Sequence, residues 1–300
     1  MFDVKEIRSV KIVPYTVMTS TISAILAFIG ALIMILLLGI VAAILPPQFA
    51  PYVNLITGAG IAIIVLYPVG TFLIGILTGF LSILFYNILV PRIGGIKLGM
   101  NGDEIENIPV IPFALITSLI IAIWAFIFGL IIAALIPLLT GIISTAALTG
   151  AVPASAALGN IGMASIIGAI ILIIGLPIIA FIFSFIAYAV IALVYNYITV
   201  RVSRMKLELS RIRDSWFSIE SIPVLPAALT ISITFAIYQF IFSIPQAITS
   251  MAQGAAFEGI IGLIVGIIIN LIIYFIMTAL GAFFYNFLAP KIDTIKLTLE

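Results

Sequence analysis

Three asparagines occupy matching places in this chain: Asn87, Asn196 and Asn286 each follow a tyrosine, at Tyr86, Tyr195 and Tyr285. Three serines, Ser20, Ser118 and Ser232, each stand six residues beyond a proline, at Pro14, Pro112 and Pro226. Carboxamides and hydroxyls both donate and accept hydrogen bonds. Gathered around an axis, they would form a polar constriction that coordinates an ion or a file of water. The plainer reading is packing. Ser-to-Asn or Asn-to-backbone bonds between the two helices of a hairpin are worth about 0.6–2 kcal/mol in a membrane.

A second set is basic. Arg92, Arg201 and Lys291 stand six residues after the three tyrosines, and Lys97, Lys206 and Lys296 eleven after. Two rings of cations on one face suit anionic lipid headgroups, and the same residues also serve plain topology determination. The tyrosines themselves are expected as interface anchors, phenol at headgroup level. The acids Asp103, Glu104 and Glu106 are expected to offset nearby cations. Glu258 stands just before an apolar run, where a helix N-terminus stabilises a carboxylate.

The chain has no His and no Cys, which removes the commonest general base, the thiolate nucleophile and the disulfide. Nucleophile–base pairs, metal-ligand clusters and phosphate loops are not found in the sequence, so no enzyme, cofactor or metal is expected. A net charge of +1 gives no overall pull on nucleic acid.

What must position these residues is a membrane. Of 300 residues, 64% are hydrophobic and 8% charged, where a soluble protein carries about 25% charged. Six apolar runs, near 15–44, 61–90, 113–137, 166–198, 227–246 and 261–289, are each long enough to cross about 30 Å of hydrocarbon. Pro68 and Pro177 fall inside two of them and predict kinks. All 12 Lys and Arg lie before, after or between alternate runs, and the connections 46–60, 138–164 and 244–258 have none. The positive-inside rule then places both termini in the cytoplasm of a multi-pass plasma (inner) membrane protein. The first run is too long for a signal peptide and reads as a retained helix. The connection 138–164 is uncharged and rich in small residues, which suits a partly embedded segment.

Three segments align without a gap: YNILVPRIGGIKLGM from Tyr86, YNYITVRVSRMKLEL from Tyr195 and YNFLAPKIDTIKLTL from Tyr285. IRSVKIVP, IENIPVIP and SIESIPVLP precede the odd-numbered runs in the same way. The chain reads as a tandem triplication, with repeats at 1–101, 102–210 and 211–300. IKLGM, MKLEL and IKLTL alternate with period two, the pattern of half-buried strands. VKIVP, IPVIP and IPVLP read as shorter extended pieces. Because Pro109 and Pro223 lack a ladder donor, these are expected as edge strands or as strands paired on one side only. The spacings Gly75/Gly79 and Gly262/Gly266 predict close helix approach. The expected fold is an all-α polytopic membrane protein. Six transmembrane helices form three hairpin repeats about a pseudo-threefold axis, with short cytoplasmic β-strands flanking each hairpin.

Helix–loop–helix units ending in Tyr-Asn, then Gly-Gly-Ile and an alternating strand, resemble an uncharacterised two-helix transmembrane domain family of actinobacterial type. Tyr86-Asn87 and Gly94-Gly95-Ile96-Lys97-Leu98 carry the resemblance. The other copies have Ser203-Arg204 and Asp293-Thr294 in place of the glycines. The resemblance implies a fold and no activity.

For function, the absence of coupling residues at mid-membrane favours a non-catalytic structural or accessory protein. Its cytoplasmic strand edges would dock a protein partner by strand addition. The alternative is a passive pore for ions or small solutes along the pseudo-threefold axis.

Overall fold

The computed structural model describes residues 2–44, 46, 50–149 and 167–300, excluding the side chains of 50–57, 59, 61 and 139–148. Met1–Pro109 and Ile191–Glu300 form one compact unit and Val110–Val190 a second. The helices are α1 (Ile12–Ile44), α2 (Ala50–Ile93), α3 (Val110–Leu148), α4 (Leu176–Tyr197), α5 (Val224–Ala252) and α6 (Ala256–Leu288). Among the described residues six helical segments are long and apolar enough to cross a membrane, at 29–35 residues each. At ~1.5 Å per residue they reach about 44–53 Å, well beyond ~30 Å of hydrocarbon. Their exposed flanks, such as Ile264, Ile268 and Ile272 on α6, are apolar, as lipid contact requires.

The helices run further than the apolar runs suggest. The expected connection 46–60 is helical from Ala50, and 138–148 of the connection 138–164 continues α3. Residues 150–164 of that connection lie outside the described residues. The connection 244–258 shrinks to the turn Gln253–Ala255. There Gly254 takes φ +86°, which only glycine adopts freely. Pro245 sits inside α5, which runs on to Ala252.

In the second unit, a π-helical turn at Ile171–Gly175 precedes Pro177. Leu176 N–H reaches back to the Ile171 carbonyl, and Pro177 has no N–H to give. The Leu172 carbonyl is thereby freed from the regular ladder. It approaches Gly129 of α3 so closely that a Cβ there would overlap it.

The first unit contains all seven strands: β1 (Asp3–Val10), β2 (Lys97–Asn101), β3 (Glu104–Asn107), β4 (Met205–Lys206), β5 (Glu208–Arg213), β6 (Trp216–Ser221) and β7 (Lys296–Leu299). Six short strands were expected. The seventh arises because the run 205–213 breaks at Leu207. The order is β4-β3-β2-β1-β7-β6-β5, every pair antiparallel. Its two end strands are consecutive pieces of one run, so the order returns on itself. The run pairs with β3 through β4 and with β6 through β5.

β1 is shared in the same manner: Asp3–Glu6 pairs with β2, and Ile7–Val10 pairs with β7 across a bulge. The edge placement expected from Pro109 and Pro223 is therefore corrected. The pieces expected at VKIVP, IPVIP and IPVLP lie earlier, at Asp3–Val10, Glu104–Asn107 and Trp216–Ser221, and the last residues of those motifs open α1, α3 and α5. β3 and β6 each have two neighbours because Pro109 and Pro223 lie outside the ladder.

Alternation then fills the ring. Leu98, Met100, Ile105, Ile219, Leu297 and Leu299 are buried. Ile7, Leu207 and Leu209 pack against both of the clusters these residues form. Both clusters are apolar but for the tyrosine hydroxyls of Tyr195 and Tyr285.

Candidate functional site

Each Tyr-Asn pair closes the final turns of a helix onto an extended segment of the ring. Tyr86 Oη donates to the Ile7 carbonyl at 2.7 Å and accepts from Ile96 N at 3.0 Å. Tyr195 Oη donates to Ile105 O at 2.5 Å and accepts from Met205 N at 3.4 Å. Tyr285 Oη donates to Ile219 O at 2.6 Å and accepts from Ile295 N at 3.2 Å. In each case the accepted amide lies ten residues beyond the tyrosine.

The asparagines bond the backbone three residues further along the chain, at or just past the strand's end. Asn87 Oδ1 accepts from Val10 N and its Nδ2 donates to Val10 O, at 3.0 and 2.9 Å. Asn196 does this with Ile108, at 2.8 Å for both bonds. Asn286 does it with Ile222, at 2.8 and 2.9 Å. A carboxamide is the side chain that can copy a strand's paired N–H and C=O. It therefore satisfies backbone groups where the ladder ends and the next helix begins.

This geometry corrects the placement of the tyrosines. Tyr86, Tyr195 and Tyr285 are only 5%, 4% and 2% exposed. They are wedged between helix and strand, covered by protein instead of lipid. An amphipathic ring with a polar tip serves either place, and the waiting backbone groups decide it.

The serines do not meet the asparagines. Ser20, Ser118 and Ser232 are buried, and each hydroxyl donates within its own helix, to Thr16, Leu115 and Leu229 carbonyls at 2.6, 3.0 and 3.2 Å. Ser20 lies against Gly75, where a Cβ would come within 3.1 Å of its hydroxyl, and Gly79 lies against Thr16. That glycine pair does bring α1 and α2 close. Gly262 and Gly266 do not act so: a Cβ at either would meet nothing within 4 Å. Gly259 makes the close contact instead, against the Ala247 carbonyl.

The six candidate cations divide. Lys206 pairs with Glu104 at 2.6 Å and Lys296 with Asp293 at 2.7 Å. Arg92, Arg201 and Lys291 are exposed at the ends of the second helices. Together with Lys97 they have no ion-pair partner among the described residues. Lys291 lies 3.2 Å from the Phe287 ring centroid. Arg204 joins the first cluster, bonding Glu104 at 3.1 Å and Glu106 at 2.9 Å. Hydrogen bonds from Lys206 and Arg204 hold the Glu104 carboxyl below its ordinary pKa. The bond from Lys296 does the same for Asp293.

Sequence reasoning missed one polar group. Thr199 is fully buried and shares a 2.9 Å hydroxyl contact with Thr234, while Thr230 donates to Ser203 Oγ at 3.1 Å. The Thr230/Thr234 spacing of four is its only trace in the sequence.

Among the described residues no group of three His, Cys, Asp or Glu could hold a metal. Comparison with protein-family models, curated proteins and solved structures finds no match, and the functional reading rests on the geometry of the chain itself.

Proposed function

We propose that the chain is a non-catalytic multi-pass membrane protein of structural or accessory type. In this reading six spans hold the seven-stranded sheet at the cytoplasmic face, where it docks a protein partner. The observation that supports it is the clamp, built three times from the same atoms. Each clamp ties a helix end to the strand that enters the same hairpin. Three tandem hairpin repeats about a pseudo-threefold axis account for three clamps of one geometry. With six spans, an even number separates any two strand pairs, which puts all strands on one side. The basic residues make that side cytoplasmic.

Strand addition keeps one footing, since β5 has a single ladder neighbour, β6. The β5–β6 turn is the better surface. Ile212 is 50% exposed and the Arg213 side chain 86% exposed. An apolar residue between Arg211 and Arg213 suits a partner that is acidic around an apolar spot. Arg92, Arg201 and Lys291, free of ion pairs, suit anionic lipid headgroups at the membrane surface. The pore reading is weaker, since the Asn and Ser polar atoms it needs are occupied within the chain.

The test is a photo-crosslinking side chain at Ile212 in native membranes. A protein adduct that disappears with Arg211→Glu and Arg213→Glu supports the reading. Lipid adducts alone, together with solute flux in liposomes above the empty-vesicle rate, would favour the pore.

A further inference from the structure

A cleft of about 200 Å³ lies between α5 and α6. Its α5 wall carries Gln239, Ser243, Gln246 and Ser250, at spacings that share one helix face. Glu258, Gly262 and Gly266 line the α6 side. Two contacts set the antiparallel register: Gly259 lies against Ser250, and Phe235 stacks on Tyr274 at 4.8 Å. In that register Gln239 falls opposite Asn270, whose Nδ2 donates to the Gly266 carbonyl at 2.8 Å. The aromatic pair lies about one turn deeper and closes the inner end. Gln239 is thirteen residues from the end of α5 at Ala252, about 20 Å along the axis and so near mid-span.

Ser243 and Ser250 donate to their own helix, at 2.5 and 3.1 Å. The Gln239 and Gln246 amides and the Glu258 carboxylate have no protein partner among the described residues. All three side chains are exposed along the cleft, and hydrocarbon cannot satisfy them there. The open space at Gly262 and Gly266 leaves room for a polar occupant between them. The oxygen ligands available at the cleft are one carboxylate, two amide carbonyls and two hydroxyls, beside the amide NH2 groups of the two glutamines. That set matches a hard cation of low charge, and Glu258 supplies one negative charge.

We propose that the α5–α6 cleft is a water-accessible binding site for a small monovalent cation, an alkali ion or a primary ammonium. It opens on the Glu258 side. Glu258 supplies the countercharge, Gln239 and Gln246 supply neutral oxygens, and the glycines keep the site open.

The chain has no native Cys, so a Gln239→Cys variant carries a single thiol. The full chain in liposomes is treated from the Glu258 side with a cationic and an anionic methanethiosulfonate. The cationic reagent is expected to react about tenfold faster or more, after correction for intrinsic thiol reactivity. Glu258→Gln in the same background should bring the ratio close to one. Sodium, potassium or methylammonium chloride should slow the cationic reagent more than equal choline chloride does, and the strongest competitor identifies the cation. Ser250→Cys, nearer the mouth, repeats the comparison should Gln239→Cys fold poorly. Equal rates for both reagents, indifference to Glu258→Gln, or equal effects of all four salts would overturn the proposal. A thiol that forms a disulfide with a second copy instead of reacting would also overturn it, making the polar stripe an interface between copies.

Discussion

Replacing Tyr285 by Phe isolates the clamp hydroxyl with little change in shape. The ring stays in the pocket it shares with Met18, Leu288 and Leu297. Two backbone groups lose a partner, the Ile219 carbonyl and the Ile295 N–H. A 2.9 Å bond from Ile219 N to the Ile295 carbonyl remains and holds the two strands in place, so the released groups stay buried with nothing to replace the hydroxyl. A buried backbone group without its bond costs about 1–3 kcal/mol, and partial relaxation brings the pair to about 2–4 kcal/mol. That is roughly a 30- to 800-fold change in the folded-to-unfolded ratio.

The assay is reversible unfolding in mixed micelles, followed by tryptophan fluorescence. The chain has 2 Trp, and Trp124→Phe leaves Trp216, on the same strand as Ile219, as the sole reporter. Tyr197→Phe, at a residue 64% exposed, is the control and should stay within about 0.5 kcal/mol. If Tyr285→Phe also stays within that range, the hydroxyl does not fasten helix to strand and the clamp account fails.

Other outcomes follow from the same contacts. Gly95→Ala should destabilise by more than about 2 kcal/mol, because a Cβ would overlap the Ile7 carbonyl and sit 3.0 Å from Tyr86 Oη. The same unfolding assay checks it, and the tolerance of Arg204 and Thr294 at the matching positions makes the first clamp the sensitive one. Glu104 and Asp293 have lowered pKa values in the folded chain. Their stabilisation is therefore complete above the ordinary carboxylate pKa, and it is lost as pH falls from there through the lowered folded values. Unfolding midpoints measured from pH 7 to 3 should drop in that range, and Glu104→Gln should flatten part of the drop. Thr199→Val should cost about 0.5–1.5 kcal/mol in the same unfolding assay, the worth of one hydroxyl contact, because the Thr234 hydroxyl keeps its bond to the Thr230 carbonyl.

The spans were legible because an apolar run without charge has few alternatives to crossing a bilayer. The strands at Lys97–Asn101 and Lys296–Leu299 showed in their alternation. The helix ends beyond Pro137 and Pro245 did not, since small uncharged residues suit helix and loop alike. Nor did the strand order, which depends on pairing β1 with β7 across nearly the whole chain and on a break at Leu207 within an unbroken alternation. The site residues were visible as repeats, but not their partners. Asn87 needed the backbone of Val10, 77 residues away, and a local pattern cannot announce it. The Gly262/Gly266 spacing predicted contact where there is open space, because spacing shows that a close approach is allowed and not that a neighbour makes it.

Side-specific labelling tests the central claim most directly, using the chain's freedom from native Cys. Arg213→Cys and Glu258→Cys are treated in turn with a membrane-impermeant maleimide on intact and on permeabilised cells. Intact cells should label only Glu258→Cys, and Arg213→Cys should label only after permeabilisation. Labelling of both from the same side would contradict six spans with the strand ring at the cytoplasmic face.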